Sequence, residues 1–337
     1  MSTMKAVEIG KPGGSFALVE REVPEPGAGQ VRIKISACGM CHSEALVKEG
    51  HWPGIRYPRV PGHEVAGVVD AVGSGVSAWK KGQRVGVGWE GGHCGSCIPC
   101  RRGDFINCAS LQITGLSFDG GYADFLVVSA GSLARIPDAL SFEEAAPILC
   151  AGVTTYNALR NSGARPGDVV AIQGIGGLGH LGVQFANKMG FKTVAISKGK
   201  DKEILAKKLG AHLYLDTEKT DTAAELMKLG GAKAILATAP SGRSISPLVN
   251  GLGHQGALVI AGASVDPIEV TAIQLIVQTR RIQGWASGSA IDSEEALNFC
   301  ALTGIRPMIE TFALEAAGEA YERMLANRVR FRAVLTV

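Results

Sequence analysis

The sequence has no long hydrophobic run and no strong excess of charge of one sign. No apolar stretch reaches the ~20 residues that a membrane-spanning helix needs, so no membrane partner is expected. The 34 Lys+Arg against 31 Asp+Glu give a formal net charge of +3, without the basic stripe that grips a phosphate backbone. A nucleic-acid partner is therefore not expected.

The marks of a secreted protein are also missing. The first residues, MSTMKAVEIG, lack the charged and then apolar order of a signal peptide, and we expect a cytoplasmic protein. Eight cysteines could form four disulfides in a secreted domain. In a reducing compartment, their clustered spacing favours metal binding instead.

The first part of the chain shows a period-two pattern. Residues 30–36, QVRIKIS, alternate apolar and polar, as do several short segments before residue 135, each bounded by Gly or Pro. This alternation predicts an irregular antiparallel β region. The 45 glycines, against roughly two dozen at average usage, predict many tight turns.

After about residue 150 the pattern changes to short, continuous apolar runs. They occupy residues 169–173, 193–197, 234–238 and 257–262, and such runs are typical of parallel strands buried on both faces. Amphipathic segments at 178–190 and 202–210 lie between them, the second with Gly210 where a helix C-terminal cap is expected. The β-α-β-α-β order predicts an α/β fold with a doubly wound parallel sheet.

A last helical segment, 293–304, and a period-two strand, 331–337, follow this sheet. We expect this tail to rejoin the first domain. The sequence therefore predicts one domain from residues 1–150 together with 288–337, and a second from residues 151–287. A length of 337 residues, 46% of them hydrophobic, favours about two domains.

Four cysteines form a dense cluster within fifteen residues: Cys94, Cys97, Cys100 and Cys108. A short lobe of about residues 90–110 can fold their thiolates around one point, which suits tetrahedral Zn²⁺. Four protein ligands leave no position open for a substrate, so the predicted role is structural. Disulfides and a chance cluster are the alternatives, and the density of the cluster disfavours both.

Other possible metal ligands are dispersed along the chain: Cys41 in CGMCHSE, His63 in PGHEVAG and Cys150 in PILCAG. Each alone is more often a packed core residue. The three residues are too far apart in the sequence for their spacing to predict one shared metal site. Residues 62–76, GHEVAGVVDAVGSGV, resemble the zinc signature of medium-chain alcohol dehydrogenases. The resemblance covers the whole chain, because the CxxCHS segment, the four-Cys lobe, the LCAG–TTY junction and the Gly-rich turn occur in that family's order.

The resemblance implies that Cys41, His63 and Cys150 hold a catalytic zinc, with Glu64 behind it as a further or alternative ligand. With the four-Cys lobe, this makes two Zn²⁺ per chain. Two thiolates and one imidazole leave a position open, at which an alcohol can lose its proton near neutral pH. Glu44 could orient the free nitrogen of His63, or cap a helix. The remaining cysteines, Cys38 and Cys300, match no ligand position and are interpreted as packed side chains.

Ser43 occupies the position of the family's proton-accepting hydroxyl, although an ordinary turn or cap serine is the alternative. The histidine that well-known members carry three residues later is replaced by Leu46. A proton relay would then end at the cofactor ribose and water, or at His51. Trp52 and Trp89 fall where relatives place aromatic residues of the substrate cleft, which suits an apolar pocket.

A glycine-rich turn, QGIGGLGHLG, follows the strand at 169–173 and opens a helix. Gly174, Gly176 and Gly179 form a G-x-G-x-x-G pattern, with Gly177 and Leu178 between them. Such a turn lets a dinucleotide pyrophosphate approach the helix N-terminus. A Gly-rich turn without a ligand is the alternative.

The next strand ends at Ser197, where NAD-binding relatives carry an acidic residue. A hydroxyl there, followed by Lys198 and Lys202, favours NADP(H) over NAD(H), because a carboxylate would repel the 2′-phosphate that ammonium groups attract. Asp201 or Glu203 could still accept from the ribose of NAD(H). The resemblance also places His42 and Arg332 against the cofactor pyrophosphate.

Together, these features predict a GroES-like β-rich catalytic domain and a Rossmann domain. The implied reaction is reversible hydride transfer between a primary alcohol, aliphatic or aromatic, and its aldehyde. Alternatives are a polyol or secondary-alcohol dehydrogenase of the same fold, or a zinc-stabilised nucleotide-binding protein without turnover. An open sheet edge is a liability unless another subunit covers it, so a homo-oligomer, dimer or tetramer, is expected.

Overall fold

The computed structural model describes residues 2–337, which form two compact units. One unit comprises the chain up to Val153 together with Ser287–Val337, and the other comprises Thr154–Ala286. The sequence placed these boundaries at residues 150 and 288. Among the described residues, no helix combines the length and the apolar character that crossing a membrane requires.

The chain before Val153 is mostly strands with short helices between them. In chain order the elements are β1 (Thr3–Ile9), β2 (Phe16–Glu22), β3 (Gln30–Met40), α1 (Glu44–Lys48), β4 (Glu64–Val72), β5 (Arg84–Val87), β6 (Glu90–Gly92), α2 (Ile98–Arg101), β7 (Gln112–Ile113), β8 (Phe125–Ser129), β9 (Ala134–Arg135) and α3 (Phe142–Pro147). A reciprocal capping box between Ser141 and Glu144 starts α3.

The middle of the chain alternates helices and strands. Its elements are α4 (Val153–Arg160), β10 (Val169–Gln173), α5 (Gly179–Lys188), β11 (Lys192–Ser197), α6 (Glu203–Lys208), β12 (Leu213–Asp216), α7 (Thr222–Lys228), β13 (Ala232–Ala237), α8 (Gly242–Ile245), β14 (Leu252–Ile260), α9 (Ala272–Ile276) and β15 (Arg281–Gly284). The strands lie side by side, all parallel, in the order β12-β11-β10-β13-β14-β15. The predicted doubly wound sheet is confirmed.

The last part of the chain contributes α10 (Ala290–Thr303), β16 (Ile309–Ala313), α11 (Ala317–Leu325) and β17 (Arg332–Thr336). Strand β17 pairs antiparallel with β3. The C-terminal tail therefore lies in the first unit. Helix α10 ends at Gly304, whose φ of 76° is the left-handed conformation that glycine adopts most easily.

Strand β3 is central to the first unit, because it pairs with β4, β8 and β17. Val31, Ile33 and Ile35 on it are fully or almost fully buried, as its period-two pattern predicted. Glycines let neighbouring segments approach closely here. A Cβ at Gly67 would lie 2.1 Å from the Lys34 carbonyl oxygen, and one at Gly73 would lie 1.8 Å from the Gly27 carbonyl oxygen.

Candidate functional site

Side chains from three distant segments converge in the first unit. One potential ligand atom from each of Cys41, His63, Glu64 and Cys150 lies within 4.8 Å of the others. Cys41 directly follows β3, and Glu64 begins β4, where it pairs with Gly39 of β3. Cys150 lies in a single π-helical turn, Ile148–Gly152, a distortion that is frequent at functional sites.

The spacing of this group fits zinc. Two thiolates of a tetrahedral site, each about 2.3 Å from the metal, lie roughly 3.8 Å apart, and the Cys41 and Cys150 sulfurs are 3.9 Å apart. Because the Cys150 thiol donates a hydrogen bond to Cys41, the pKa of Cys41 is well below its usual value. The residues present therefore fit a Zn²⁺ ion held by two sulfurs and one nitrogen.

The Glu44 carboxylate lies against the imidazole of His63, and both side chains are fully buried. The Glu44 Oε1 atom lies 2.9 Å from His63 Nδ1, and Glu44 Oε2 accepts a hydrogen bond from the Gly62 N–H at 3.2 Å. Burial disfavours the charged imidazolium, but Glu44 and Cys41 outweigh it and raise the pKa of His63 well above its usual value. With Nδ1 turned to Glu44, Nε2 is the nitrogen left for a metal.

Glu64 is fully buried and accepts a hydrogen bond from the Arg332 guanidinium. Burial raises the pKa of Glu64 to about 7, more than the neighbouring Arg332 lowers it. Its Oε2 atom is buried without a hydrogen-bond partner, which leaves an acceptor for a cation. The structure thus ties Arg332 to Glu64, and its predicted contact with a cofactor pyrophosphate stays a prediction.

Ser43 and two tryptophans lie beside this group. The Ser43 Oγ atom is 3.4 Å from His63 Nε2. The Trp89 ring meets the His63 ring edge-on at 5.1 Å, and Trp52 meets Trp89 edge-on at 6.1 Å. Trp52 is 39% exposed, so the two indoles form an apolar wall that begins at the imidazole and ends at the surface.

The two other residues considered for proton transfer and cofactor contact, His51 and His42, are both exposed. Leu46, in place of the usual relay histidine, packs in an apolar cluster with Val47 and Trp89. It has no group that could carry a proton.

The four-Cys lobe brings Cys94, Cys97, Cys100 and Cys108 together, with the sulfurs within 4.8 Å of one another. The sulfur–sulfur distances are 3.6 Å for Cys94–Cys108, 3.9 Å for Cys97–Cys108 and 4.0 Å for Cys94–Cys100. Hydrogen bonds from the Ser96 hydroxyl and nearby N–H groups lower the pKa of Cys94 to about 5. These distances fit a closed tetrahedral Zn²⁺ cage.

All eight cysteines are free, so the cysteines of this lobe form no disulfide. Cys38 and Cys300 belong to neither set and are fully buried. Burial raises the pKa of Cys300 to about 12. Both side chains therefore behave as packed core residues.

In the second unit, the turn between β10 and α5 has the shape of a phosphate cradle. Gly174 has a φ of 87°, and a Cβ at Gly179 would lie 1.7 Å from the Gly174 carbonyl oxygen. A Cβ at Gly176, by contrast, would have nothing within 4 Å. Two of the glycines are thus required by the turn itself, while Gly176 borders open space in which a ligand could approach the backbone.

The end of β11 carries Ser197, and the loop that follows carries Lys198 and Lys202. The Lys202 ammonium donates to the Ile175 carbonyl at 2.9 Å, which places it at the Gly-rich turn. The Lys198 ammonium lies 3.4 Å from Glu218 Oε1 on the surface. Of the two acids considered as ribose acceptors, Glu203 binds Lys207 at 2.8 Å and Asp201 is exposed.

Sequence reasoning missed one acid at this end of the sheet, Asp216. It lies opposite Ser197 in the parallel pairing of β11 and β12. Its carboxylate accepts hydrogen bonds from the Gly199 N–H at 2.9 Å and the Glu218 N–H at 3.0 Å. Asp216 therefore fixes the loop that follows Ser197. Its position as the last residue of the strand LYLD is the only sequence signal for it.

The chain matches two family descriptions. Residues 27–138 match the alcohol dehydrogenase GroES-like domain, and residues 177–301 match the zinc-binding dehydrogenase domain. The alcohol dehydrogenase patD of Penicillium expansum is 44% identical over 336 residues, which cover 100% of this chain and 98% of that protein. An alcohol dehydrogenase of Geobacillus stearothermophilus is 40% identical over 336 residues, 99% of this chain and 100% of that protein.

A solved structure agrees with these matches. The cinnamyl alcohol dehydrogenase of Sorghum bicolor superposes with a TM-score of 0.89 and 33% sequence identity, over 99% of this chain and 98% of that chain. The chain belongs to the zinc-binding medium-chain alcohol dehydrogenase family. Its fold and family support oxidoreductase activity on small alcohols or aldehydes with zinc and a nicotinamide cofactor.

Replacing Gly176 with alanine is expected to weaken cofactor binding without lowering Tm. The new methyl group meets no protein atom but occupies the space through which a pyrophosphate would reach the backbone. We expect a rise in Kd of roughly tenfold or more, measured by fluorescence titration with NADPH and with NADH. Gly10→Ala, which also has nothing within 4 Å of its Cβ, is the control. Unchanged affinity for both cofactors would show that the turn does not hold them.

Proposed function

We propose that this chain is a zinc-dependent dehydrogenase of primary alcohols that also reduces the corresponding aldehydes and prefers NADP(H). The observation that carries the proposal is the convergence of Cys41, His63 and Cys150 around one point. Three protein ligands of this kind leave one position of a tetrahedral zinc open to substrate. Alcohol dehydrogenase relatives that span the whole chain support the same reaction class.

Two zinc ions per chain are proposed, with separate roles. Zn²⁺ bound by Cys41, His63 and Cys150 supplies a Lewis acid that lowers the pKa of an alcohol hydroxyl and polarises an aldehyde carbonyl. The four sulfurs of the Cys94–Cys108 lobe would enclose the other ion completely, which limits it to stabilising that lobe.

The proton of the alcohol is assigned to Ser43. Its Oγ atom lies beside His63 Nε2, so a substrate hydroxyl next to this imidazole is within reach of it. Ser43 Oγ can accept that proton while donating its own onward, to the cofactor ribose and water or to the exposed His51. A nicotinamide cofactor, when bound, would supply the hydride acceptor for alcohol oxidation and the hydride donor for aldehyde reduction.

The Trp52 and Trp89 wall supports the proposed substrate class. The two indoles, which contact each other edge-on beside His63, offer an extended apolar surface to the carbon chain or ring of a substrate. We therefore infer primary alcohols with an aliphatic or aromatic body. Free cysteines suit a reducing, cytoplasmic compartment, and a homo-oligomer would protect the edges of the parallel sheet.

The NADP(H) preference rests on Ser197, Lys198 and Lys202 at the end of β11. Lys202 is already held at the Gly-rich turn by the Ile175 carbonyl. Because the acid at the Ser197 position is missing, nothing at that residue repels a 2′-phosphate. The surface contact of Lys198 with Glu218 is weak enough to be exchanged for a phosphate.

The two metal sites predict different outcomes for two cysteine variants. Purified protein should contain two zinc ions per chain, and Cys150→Ser should retain one, stay folded and lose turnover. Cys97→Ser should lose the other ion and lower Tm, with activity lost only through instability. Metal analysis, thermal melting and an alcohol-panel assay measure these effects, and Cys300→Ala is the control that keeps both ions. A single zinc in fully active protein, or normal turnover in Cys150→Ser, would refute the assignment.

The relay predicts that Ser43→Ala lowers kcat for alcohol oxidation by something on the order of 10² to 10⁴, the usual contribution of a positioned proton acceptor. Zinc content should not change, because Ser43 is not a proposed ligand. His51→Gln is the paired variant, and a changed pH profile of kcat would place His51 on the path. A loss of only a few-fold in Ser43→Ala would show that water takes the proton directly.

The cofactor assignment predicts that kcat/KM for NADP(H) exceeds that for NAD(H) by at least about tenfold. One or two charge-assisted hydrogen bonds to the 2′-phosphate, at roughly 1.5–3 kcal/mol each, account for this. Ser197→Asp should reverse the preference, and Ser197→Ala should only reduce it. The assays need moderate, constant salt because an exposed lysine contact is screened. A wild-type preference for NAD(H) would contradict the assignment and point to Asp201 or Glu203.

A further inference from the structure

A second cleft lies in the Thr154–Ala286 unit, at the end of the parallel sheet opposite the Gly-rich turn. Its volume is about 1140 Å³, and it is lined by residues where β10, β13, β14 and β15 begin. The Gly174 turn follows the other end of β10. None of the residues that line the cleft belongs to the Gly-rich turn or to either cysteine set.

The lining of this cleft is strongly basic. Its cationic side chains are Arg165, Lys233, Arg280 and Arg281, joined by His254. Within residues 2–337, none of these side chains forms an ion pair with a carboxylate. The one acid of the lining, Asp168, accepts a hydrogen bond from the Arg165 backbone N–H at 2.8 Å. The four cationic side chains outnumber this single acid, so the cleft carries an excess of positive charge.

Two of the guanidinium groups are held in place by backbone carbonyls. Arg280 Nε donates to the Leu252 carbonyl at 2.9 Å, and Arg281 donates to the Ser162 carbonyl. Carbonyl contacts fix a guanidinium but leave its full charge for an anion. Because these contacts already hold both guanidinium groups, an anion that binds here would not have to immobilise the side chains, and binding would cost less conformational entropy.

Glycines leave the backbone of the cleft uncovered. Gly167 and Gly230 both line it with φ near 93° and 94°, and a Cβ at either would have nothing within 4 Å. The space in front of them is therefore open to a ligand. The volume is of the size that holds a small organic molecule rather than a single ion.

We propose that this cleft binds a small polyanionic metabolite with more than one phosphoryl group. The planar forks of Arg280 and Arg281 match the geometry of phosphoryl oxygens, and Lys233 and Arg165 add charge at the same site. The proposed site shares no residue with the Gly-rich turn or with the proposed zinc ligands, and its test does not depend on turnover.

Fructose 1,6-bisphosphate serves as the probe, because it carries two phosphoryl groups. Binding is measured by isothermal titration calorimetry on holoenzyme saturated with its preferred cofactor, at constant ionic strength set by chloride. Cofactor saturation blocks the other phosphate site. We expect saturable binding of one probe molecule per chain.

The variant Arg165→Gln/Lys233→Gln removes two charges and keeps the carbonyl contacts of both other arginines. Its Kd for the probe should be higher by a factor of roughly ten or more, with Tm unchanged. Lys80→Gln/Lys208→Gln removes two exposed charges elsewhere and should bind like the wild type.

Absence of saturable binding to the wild type would overturn the proposal. Equal weakening in both double variants would also overturn it, because it would show attraction by net charge alone. If the wild type binds no probe and only the cleft variant changes the mass of the assembly in solution, the basic cleft is a contact between subunits and not a metabolite site.

Discussion

The arrangement around Cys41, His63 and Cys150 depends on one electrostatic constraint: two sulfurs, an imidazole and two carboxylates share a buried site. Glu44 and Glu64 are fully buried there, and Arg332 is the nearby cation that contacts Glu64. Buried ionised groups are costly unless they are paired or bind a metal. A divalent ion between the thiolates and the imidazole would satisfy this constraint, and Glu44 and Arg332 would then hold the surrounding groups in position.

Strand pairing and one irregular helical turn bring the side chains of this site together. The antiparallel pairing of β3 and β4 brings Cys41 and His63 together, and Glu64 lies opposite Gly39, where a Cβ would come within 1.9 Å of the Glu64 carboxylate. Glycine at position 39 therefore makes room for the acid. The π-helical turn at Ile148–Gly152 presents Cys150 from a segment more than 80 residues further along the chain.

The sequence could predict features that depend on local spacing. The four cysteines of residues 94–108 are close in the chain, and the Gly174 turn follows a strongly apolar strand, so both were recognisable. The grouping of Cys41, His63 and Cys150 came from the family resemblance, because their union depends on long-range strand pairing. The contacts of Arg332 with Glu64 and of Asp216 with the loop after Ser197 depend on tertiary folding, which no local spacing in the sequence indicates. The edge strands β12 and β15 carry no such signal, because their sequences LYLD and RIQG lack a continuous apolar run.

The central claim is that Cys41, His63 and Cys150 hold a metal whose coordination is open to substrate, while the four-Cys lobe encloses its metal. Cobalt substitution tests this most directly, because the visible absorption of Co²⁺ reports a change of ligands. The account predicts that an alcohol added with the cofactor changes the spectrum of the wild-type protein, and that Cys150→Ser removes this response while a cobalt–thiolate spectrum from the four-Cys lobe persists. A wild-type spectrum that does not respond to any alcohol, or an unchanged response in Cys150→Ser, would contradict it.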